Sequence, residues 1–143
     1  DKKERGRAAS FGNKFEPGKK PMSTMAPVMV FNEDSKLSLI TGSPGGALIP
    51  AAILRVITGV IDFDLNIGEA TMLTRVHKDW PEPGIRYEKT LTPIVVKRLK
   101  DMGHGATSDK TMGSSQSIHI IDGVNYGYSD LRRPGAGVYI QPN

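Results

Sequence analysis

The stretch Leu37-Ser38-Leu39-Ile40-Thr41-Gly42-Ser43-Pro44-Gly45-Gly46-Ala47-Leu48-Ile49-Pro50 constrains the fold more than any other. A short apolar run of strand type stops at Thr41-Gly42 and a tight Ser-Pro-Gly-Gly turn follows. A helical pattern then starts at once, with Ile49, Ile53, Val56 and Val60 on one face. A strand that passes through a glycine turn into a helix presents free backbone N–H groups, because the first helical turn has donors without intrahelical partners. The helix dipole adds partial positive charge there, and two consecutive glycines let a ligand approach the main chain without meeting a Cβ. Such a turn suits negative charge, either a bound anion or an oxyanion that develops during a reaction. It suits equally an ordinary strand-to-helix connection.

The neighbouring pattern builds outward from this unit. Residues 28–31 read as a buried strand and residues 32–36 as the turn of a hairpin into residues 37–41. The helix is expected from Gly46 or Ala47 to about Ile61, and Asn66 caps a short helix over residues 67–73. A loop follows through His77, Trp80 and two prolines. Thr92 as N-cap, Pro93 at the first helical position and Gly103 just past the end frame another helix, with Val95, Leu99 and Met102 as its core face. Lys97, Arg98 and Lys100 then face mostly outward. Residues 115–121 and 124–128 flank Asp122-Gly123, a hairpin signal because a type I′ turn needs positive φ at both central residues. A short strand near residues 138–140 closes the chain. The order predicts an α+β layer structure with a mainly antiparallel sheet and no internal repeat.

A chain of 143 residues is one domain's worth, able to bury roughly two thirds of its unfolded surface. No run approaches the roughly 18 apolar residues of a membrane span, and the charged first residues do not read as a signal peptide. Without cysteine there is no disulfide and no thiolate metal site. The whole net charge of +4 sits in residues 1–20, where seven Lys and Arg face Asp1, Glu4 and Glu16. That segment has no aromatic platform beyond Phe11 and Phe15 and no basic helix face. It reads as an irregular solvated arm, not a nucleic-acid site. The division expected is therefore residues 1–20 as a basic irregular segment and residues 21–143 as the body.

Several chemistries fail on the residues themselves. A phosphate-binding P-loop needs Lys-Ser/Thr directly after its glycines, and Ala47-Leu48 stand there. A hydrolase nucleophile elbow would put Ser43 on the corner, but Gly-x-Ser-x-Gly is broken by Thr41. His77, His104 and His119 are single and unclustered, which excludes a metal site by spacing, and His119 reads as a half-exposed strand residue. Ser23-Thr24 carries more information. Two adjacent hydroxyls between Pro21 and Pro27 can donate to a carboxylate, or can cap their own turn.

Taken together, four segments resemble the small subunit of gamma-glutamyltransferases (gamma-glutamyltranspeptidases). Lys19-Lys20-Pro21-Met22-Ser23-Thr24-Met25-Ala26-Pro27 is similar to that family's Lys-Arg-Pro-Leu-Ser-Ser-Met-x-Pro, and Gly42-Ser43-Pro44-Gly45-Gly46 to its Gly-Ser-Pro-Gly-Gly. Met112-Gly113-Ser114-Ser115-Gln116-Ser117-Ile118 and Ser129-Asp130-Leu131-Arg132 match further segments, so the resemblance covers about residues 11–143. Lys20 for Arg and Met22 for Leu are mild departures, and Thr24 for the second Ser keeps a hydroxyl while adding a methyl.

The resemblance implies an N-terminal nucleophile hydrolase, an α/β/β/α sandwich made by autocleavage of one precursor. It implies that Ser23 and Thr24 bind the α-carboxylate of a γ-glutamyl group and that Gly45 and Gly46 form the oxyanion hole. The implied activity is cleavage of γ-glutamyl amides such as glutathione, with transfer to amino acids, peptides or water and without a cofactor. The implied location is periplasmic or extracellular. The family's nucleophile is a threonine at the start of the small subunit, well before the hydroxyl pair, whereas only 22 residues precede Ser23 and the chain opens with Asp1. The sequence is therefore expected to be the carboxyl-terminal part of that subunit and inactive alone. Its expected partners are the large subunit and the remainder of the small one. Two alternatives stay open at this point, a cephalosporin or glutaryl acylase of the same fold and a non-catalytic anion-binding module.

Overall fold

A computed structural model describes residues 16–20, 25–79, 81, 83–135 and 137–142. Most of the basic segment, together with Ser23 and Thr24, lies outside the described residues. The chain folds as α+β with mainly antiparallel pairing, as its pattern predicts. The principal sheet has the order β1-β2-β6-β7-β8, formed by Val28–Phe31, Leu37–Gly42, Gln116–Ile121, Val124–Ser129 and Val138–Pro142, and every neighbour in it is antiparallel. A smaller sheet, β3-β4-β5, comprises Val76–His77, Gly84–Glu88 and Gly105–Asp109.

Local chemistry explains the large sheet's turns. Asn32 and Lys36 close the β1-β2 hairpin: the Asn32 N–H donates to the Lys36 carbonyl, and the Asn32 side chain accepts from the Lys36 N–H, both at 2.9 Å. Asp122 and Gly123 take φ values of 49° and 79°, the left-handed pair of a type I′ turn, which holds β6 and β7 in register from Gln116 opposite Ser129 to Ile121 opposite Val124.

Alternation along the strands sets one face of this sheet against two helices. Helix α1, Ile49–Ile61, buries Ala52, Ile53, Val56, Gly59 and Val60, while α2, Ile67–Met72, buries Ile67, Ala70 and Thr71. Leu39 of β2, Val56, Val60, Ile67 and Ala70 form the core, with Tyr126 and Tyr128 of β7 packed on it. Full burial of a side chain such as Val56 or Leu39 is worth about 1.5–3 kcal/mol. The helices cross closely at Gly59, where a Cβ would come within 2.9 Å of the Ala70 Cβ. Asn66 and Glu69 form a reciprocal capping box at the start of α2, so the predicted cap is present.

The remaining helix, α3 (Pro93–Asp101), joins β4 to β5, which pair in parallel, the one departure from antiparallel order among the described strands. Thr92 stands at its N-cap position without a side-chain bond, and Gly103 at φ 87° follows its end. The predicted core face is corrected here. Val95 and Met102 are 39% and 71% exposed, and the half-buried residues are Val96 and Leu99. Ile94, Val95 and Val96 are consecutive, so a nine-residue helix offers two apolar stripes, and packing beside β5 selects the one with Val96. The predicted loop through His77 also contains the short strand β3, and β5 has no counterpart in the sequence reading.

Candidate functional site

Strand β2 ends at Gly42, opposite Gln116, and the chain leaves the sheet through Ser43 and Pro44. Gly45 has φ 144° and ψ 9°, and Gly46 has φ 58°, both conformations that strain an L side chain. The expected helix start is resolved into two parts, a 3-10 turn over Gly46–Leu48 and then α1, with Pro50 in its first turn. The Gly45 carbonyl accepts from the Leu48 N–H at 3.1 Å and the Gly46 carbonyl from the Ile49 N–H. Neither the 3-10 turn nor α1 has a side-chain cap. Among the described residues neither the Gly45 nor the Gly46 N–H meets an acceptor. Two exposed donors at the positive end of a 13-residue helix are a place where negative charge is stabilised.

The turn forms one side of an open hollow of about 610 Å³, lined by Met25, Ala26, Pro27, Gly42, Ser43, Pro44, Gly45, Ile49 and Gln116. That is the size of a small-molecule site. Of the residues predicted to act, Gly45 borders it and Gly46 follows in the same turn. Ser23 and Thr24 lie outside the described residues, but the three that follow them in sequence line the hollow. None of its lining residues is a histidine. His77 Nε2 donates to the Asp79 carboxylate at 2.8 Å beside the small sheet. His119 sits in β6 between Leu39 and Tyr126, and burial lowers its pKa below the ordinary histidine value.

Behind the turn lies the segment 112–115. Gly113, at φ 69°, packs so tightly that a Cβ would come within 2.6 Å of Ser43 Oγ, 3.1 Å of the Pro44 carbonyl oxygen and 3.3 Å of the Ala52 Cβ. The Ser114 N–H donates to Ser43 Oγ at 3.0 Å, and Ser43 Oγ donates in turn to the Pro44 carbonyl at 2.9 Å.

A buried charge cluster anchors that segment from its other side. Arg75 donates to the Met112 carbonyl, to Ser115 Oγ at 3.0 Å and to Asp130 Oδ2 at 2.7 Å. Asp130 also accepts the N–H of Ser115 and that of Arg132, each at 2.9 Å. Arg132 forms a two-pronged pair with Glu88 at 2.8 and 2.7 Å, and Glu88 accepts the Met112 N–H at 2.8 Å and the Arg75 N–H at 2.9 Å. The side chains of Arg75 and Asp130 are 2% and 0% exposed.

Burial penalises the charge on both carboxylates. The hydrogen bonds and cations nevertheless prevail and hold Asp130 and Glu88 below the ordinary carboxylate range. Burial, then the like charge of Arg132, pulls Arg75 down. At Arg132 burial acts the same way, but the bond to Glu88 and the two carboxylate charges outweigh it and the pKa is raised. Arg75 and Glu88 carry no sequence signal of this role, whereas Met112-Gly113-Ser114-Ser115 and Asp130-Leu131-Arg132 belong to segments already conspicuous in the sequence.

With this geometry in place, comparison with known proteins is informative. The family model described as Gamma-glutamyltranspeptidase matches residues 2–140. The chain is 40% identical over 121 residues to the glutathione hydrolase proenzyme of Escherichia coli (strain K12), covering 84% of this chain and 21% of that protein. A crystallised gamma-glutamyltranspeptidase mutant from Helicobacter pylori superposes with a TM-score of 0.78 at 34% identity, over 87% of this chain and 69% of that one. A cephalosporin acylase from Bacillus halodurans shares the fold with a TM-score of 0.76 at 23% identity, over 92% of this chain and 24% of that one. The chain spans a quarter or less of the length of the curated relatives it matches most strongly. Its fold is that of part of an N-terminal nucleophile hydrolase sandwich. The chain belongs to the gamma-glutamyltranspeptidase family.

Proposed function

We propose that this member of the family serves in cleaving γ-glutamyl amides such as glutathione, with transfer of the γ-glutamyl group to amino acids, peptides or water. In this reading the chain supplies two elements of the active site. The Gly45 and Gly46 N–H groups form the oxyanion hole, and the Ser23 and Thr24 hydroxyls hold the α-carboxylate of the substrate. The observation that carries the reading is the pair of glycine N–H groups without acceptors among the described residues, at the edge of a hollow whose wall continues directly from Ser23-Thr24 in sequence.

The chemistry follows from charge. A nucleophile from another part of the precursor attacks the γ-amide carbon, and the carbonyl oxygen becomes an oxyanion. Two main-chain donors fixed at a helix start stabilise that charge as it develops, without reorganising. The amine leaves with a proton, and the acyl group is then passed to water or to an amino acid. No cofactor is needed for these steps. The partners in this reading are the large subunit and the rest of the small subunit, produced by autocleavage of one precursor. The setting is the periplasm or the cell exterior. Among the described residues no helix is long and apolar enough to cross a membrane.

The test compares γ-glutamyl-p-nitroanilide with its glutaryl analogue, which keeps the carboxylate, and its γ-aminobutyryl analogue, which lacks it, in the enzyme carrying this chain. Changing Ser23 and Thr24 together to Ala should weaken use of the γ-glutamyl substrate by about 1.5–3 kcal/mol per lost bond to the carboxylate, and leave the γ-aminobutyryl analogue nearly unaffected. Equal losses on the γ-glutamyl and γ-aminobutyryl compounds would make the hydroxyl pair structural. A wild-type enzyme that prefers the glutaryl compound would be an acylase instead.

A further inference from the structure

Ser43 occupies the corner where a nucleophilic serine would sit in a hydrolase elbow, yet its hydroxyl is engaged on both sides. It accepts the Ser114 N–H at 3.0 Å and donates to the Pro44 carbonyl oxygen at 2.9 Å. A group that gives its proton to a neighbouring carbonyl, with no histidine among the residues lining the same hollow, lacks the base that would activate it.

The second of those bonds has a geometrical consequence. The Pro44 carbonyl and the Gly45 N–H belong to one peptide unit, which is planar and trans, so they point in opposite directions. Fixing the oxygen fixes the N–H. This matters because the peptide precedes a glycine at φ 144°, and glycine populates positive and negative φ with little penalty. With the carbonyl untethered, the Pro44–Gly45 plane could rotate at small cost and turn its donor away. Gly113 completes the restraint, since its backbone packs against Ser43 Oγ and the Pro44 oxygen with no room for a side chain.

We propose that Ser43 is a positioning residue, whose hydroxyl, held by the Ser114 N–H, locks the Pro44–Gly45 peptide so that the Gly45 N–H faces the reacting carbonyl oxygen. This deepens the reading of the glycine turn as an oxyanion hole and rests on it. It also gives the segment 112–115 a part in the chemistry. Residues 112–115 are not among those lining the hollow, but Ser114 carries the N–H that orients the serine.

The experiment is steady-state kinetics of γ-glutamyl-p-nitroanilide cleavage by the full enzyme carrying this chain, with wild type, Ser43→Ala and Ser43→Thr. In Ser43→Ala kcat should fall at least tenfold, towards the roughly 10²–10³-fold of a lost oxyanion donor, while KM stays within twofold and the melting temperature is unchanged. Ser43→Thr, which keeps the hydroxyl, should recover most of the rate. If the alanine variant does not fold, Ser43→Cys replaces it, because a thiol is a weak donor and acceptor and should lower kcat in the same way. An alanine variant with wild-type kcat would overturn the proposal, as would a lowered melting temperature with a normal rate per folded molecule. An acyl group found covalently on Ser43 would overturn it in favour of a nucleophile. A wild-type enzyme without γ-glutamyl activity sinks the functional reading and this inference together, whereas an active wild type with an equally active Ser43→Ala sinks the inference alone.

Discussion

Two polar regions meet on either side of the segment 112–115, and they are built on opposite terms. On one side, Arg75, Glu88, Asp130 and Arg132 are buried and densely bonded, with each carboxylate oxygen taking one or more donors. On the other, Gly45 and Gly46 are exposed and keep two N–H groups without acceptors among the described residues. In the proposed reading, the contrast separates what holds the site from what acts in it. Buried charges are tolerated only when matched, so the cluster is rigid and chemically silent. Donors at an exposed turn cost little to leave open, because solvent can satisfy them. A rigid rear wall and an open front edge are what preorganised stabilisation of a developing charge requires.

That division can be broken most forcefully at Asp130. Asp130→Asn keeps the shape of the side chain but leaves Arg75 buried beside Arg132 without its nearest counter-charge, at 2.7 Å in the intact protein. Removing one partner of a buried pair costs about 3–5 kcal/mol, a loss of stability that thermal melting would register directly. Melting unchanged within about 1 kcal/mol would show that the cluster is not the scaffold of the site.

A graded loss of the same interactions is expected in acid. Asp130 and Glu88 have folded-state pKa values below their ordinary ones, so the unfolded chain takes up protons first as the pH falls. Their contribution is therefore fully present above the unfolded carboxylate values, about 4, and is lost as the pH drops from there through the lower folded values. Stability measured from pH 6 to pH 2 should decline below about pH 4, and the decline should be shallower in Asp130→Asn, which has one such group fewer. Parallel acid curves for the two proteins would place the acid sensitivity elsewhere.

The same contrast explains how far the sequence could be read. What is local was legible. Asp122-Gly123 specifies its own hairpin, Asn66 its own cap, and the Ser-Pro-Gly-Gly run its own turn, because each depends on neighbours within a few residues. The charge cluster was not, since Arg75 finds Asp130 across 55 residues and Glu88 finds Arg132 across 44, and no spacing rule links them. The face of α3 was misread for a related reason. Val95 and Val96 are equivalent by pattern, and only the parallel pairing of β4 with β5 decides between them. The α+β class survived these misses because it follows from the strong local elements.

The smallest loss of stability is expected at the turn itself, and it discriminates most sharply between the two regions. Gly46, at φ 58°, lies in the left-handed helical region, and a Cβ built there meets nothing within 4 Å. Gly46→Ala should therefore cost only the intrinsic strain of that conformation, on the order of 1 kcal/mol, with no packing term added. Gly45 behaves differently, since φ 144° with ψ 9° is closed to an L side chain and alanine there must shift the backbone. If the Gly46 N–H serves an oxyanion, the methyl group enters the space through which the substrate carbonyl approaches. In that case kcat falls by more than the roughly fivefold that 1 kcal/mol could account for, while the enzyme stays folded. A melting curve and a kcat value on the same preparation decide the matter. A small shift in melting with a large loss of rate assigns the turn to chemistry, whereas a rate that merely tracks the folded fraction would return Gly46 to the scaffold, alongside the charge cluster behind it.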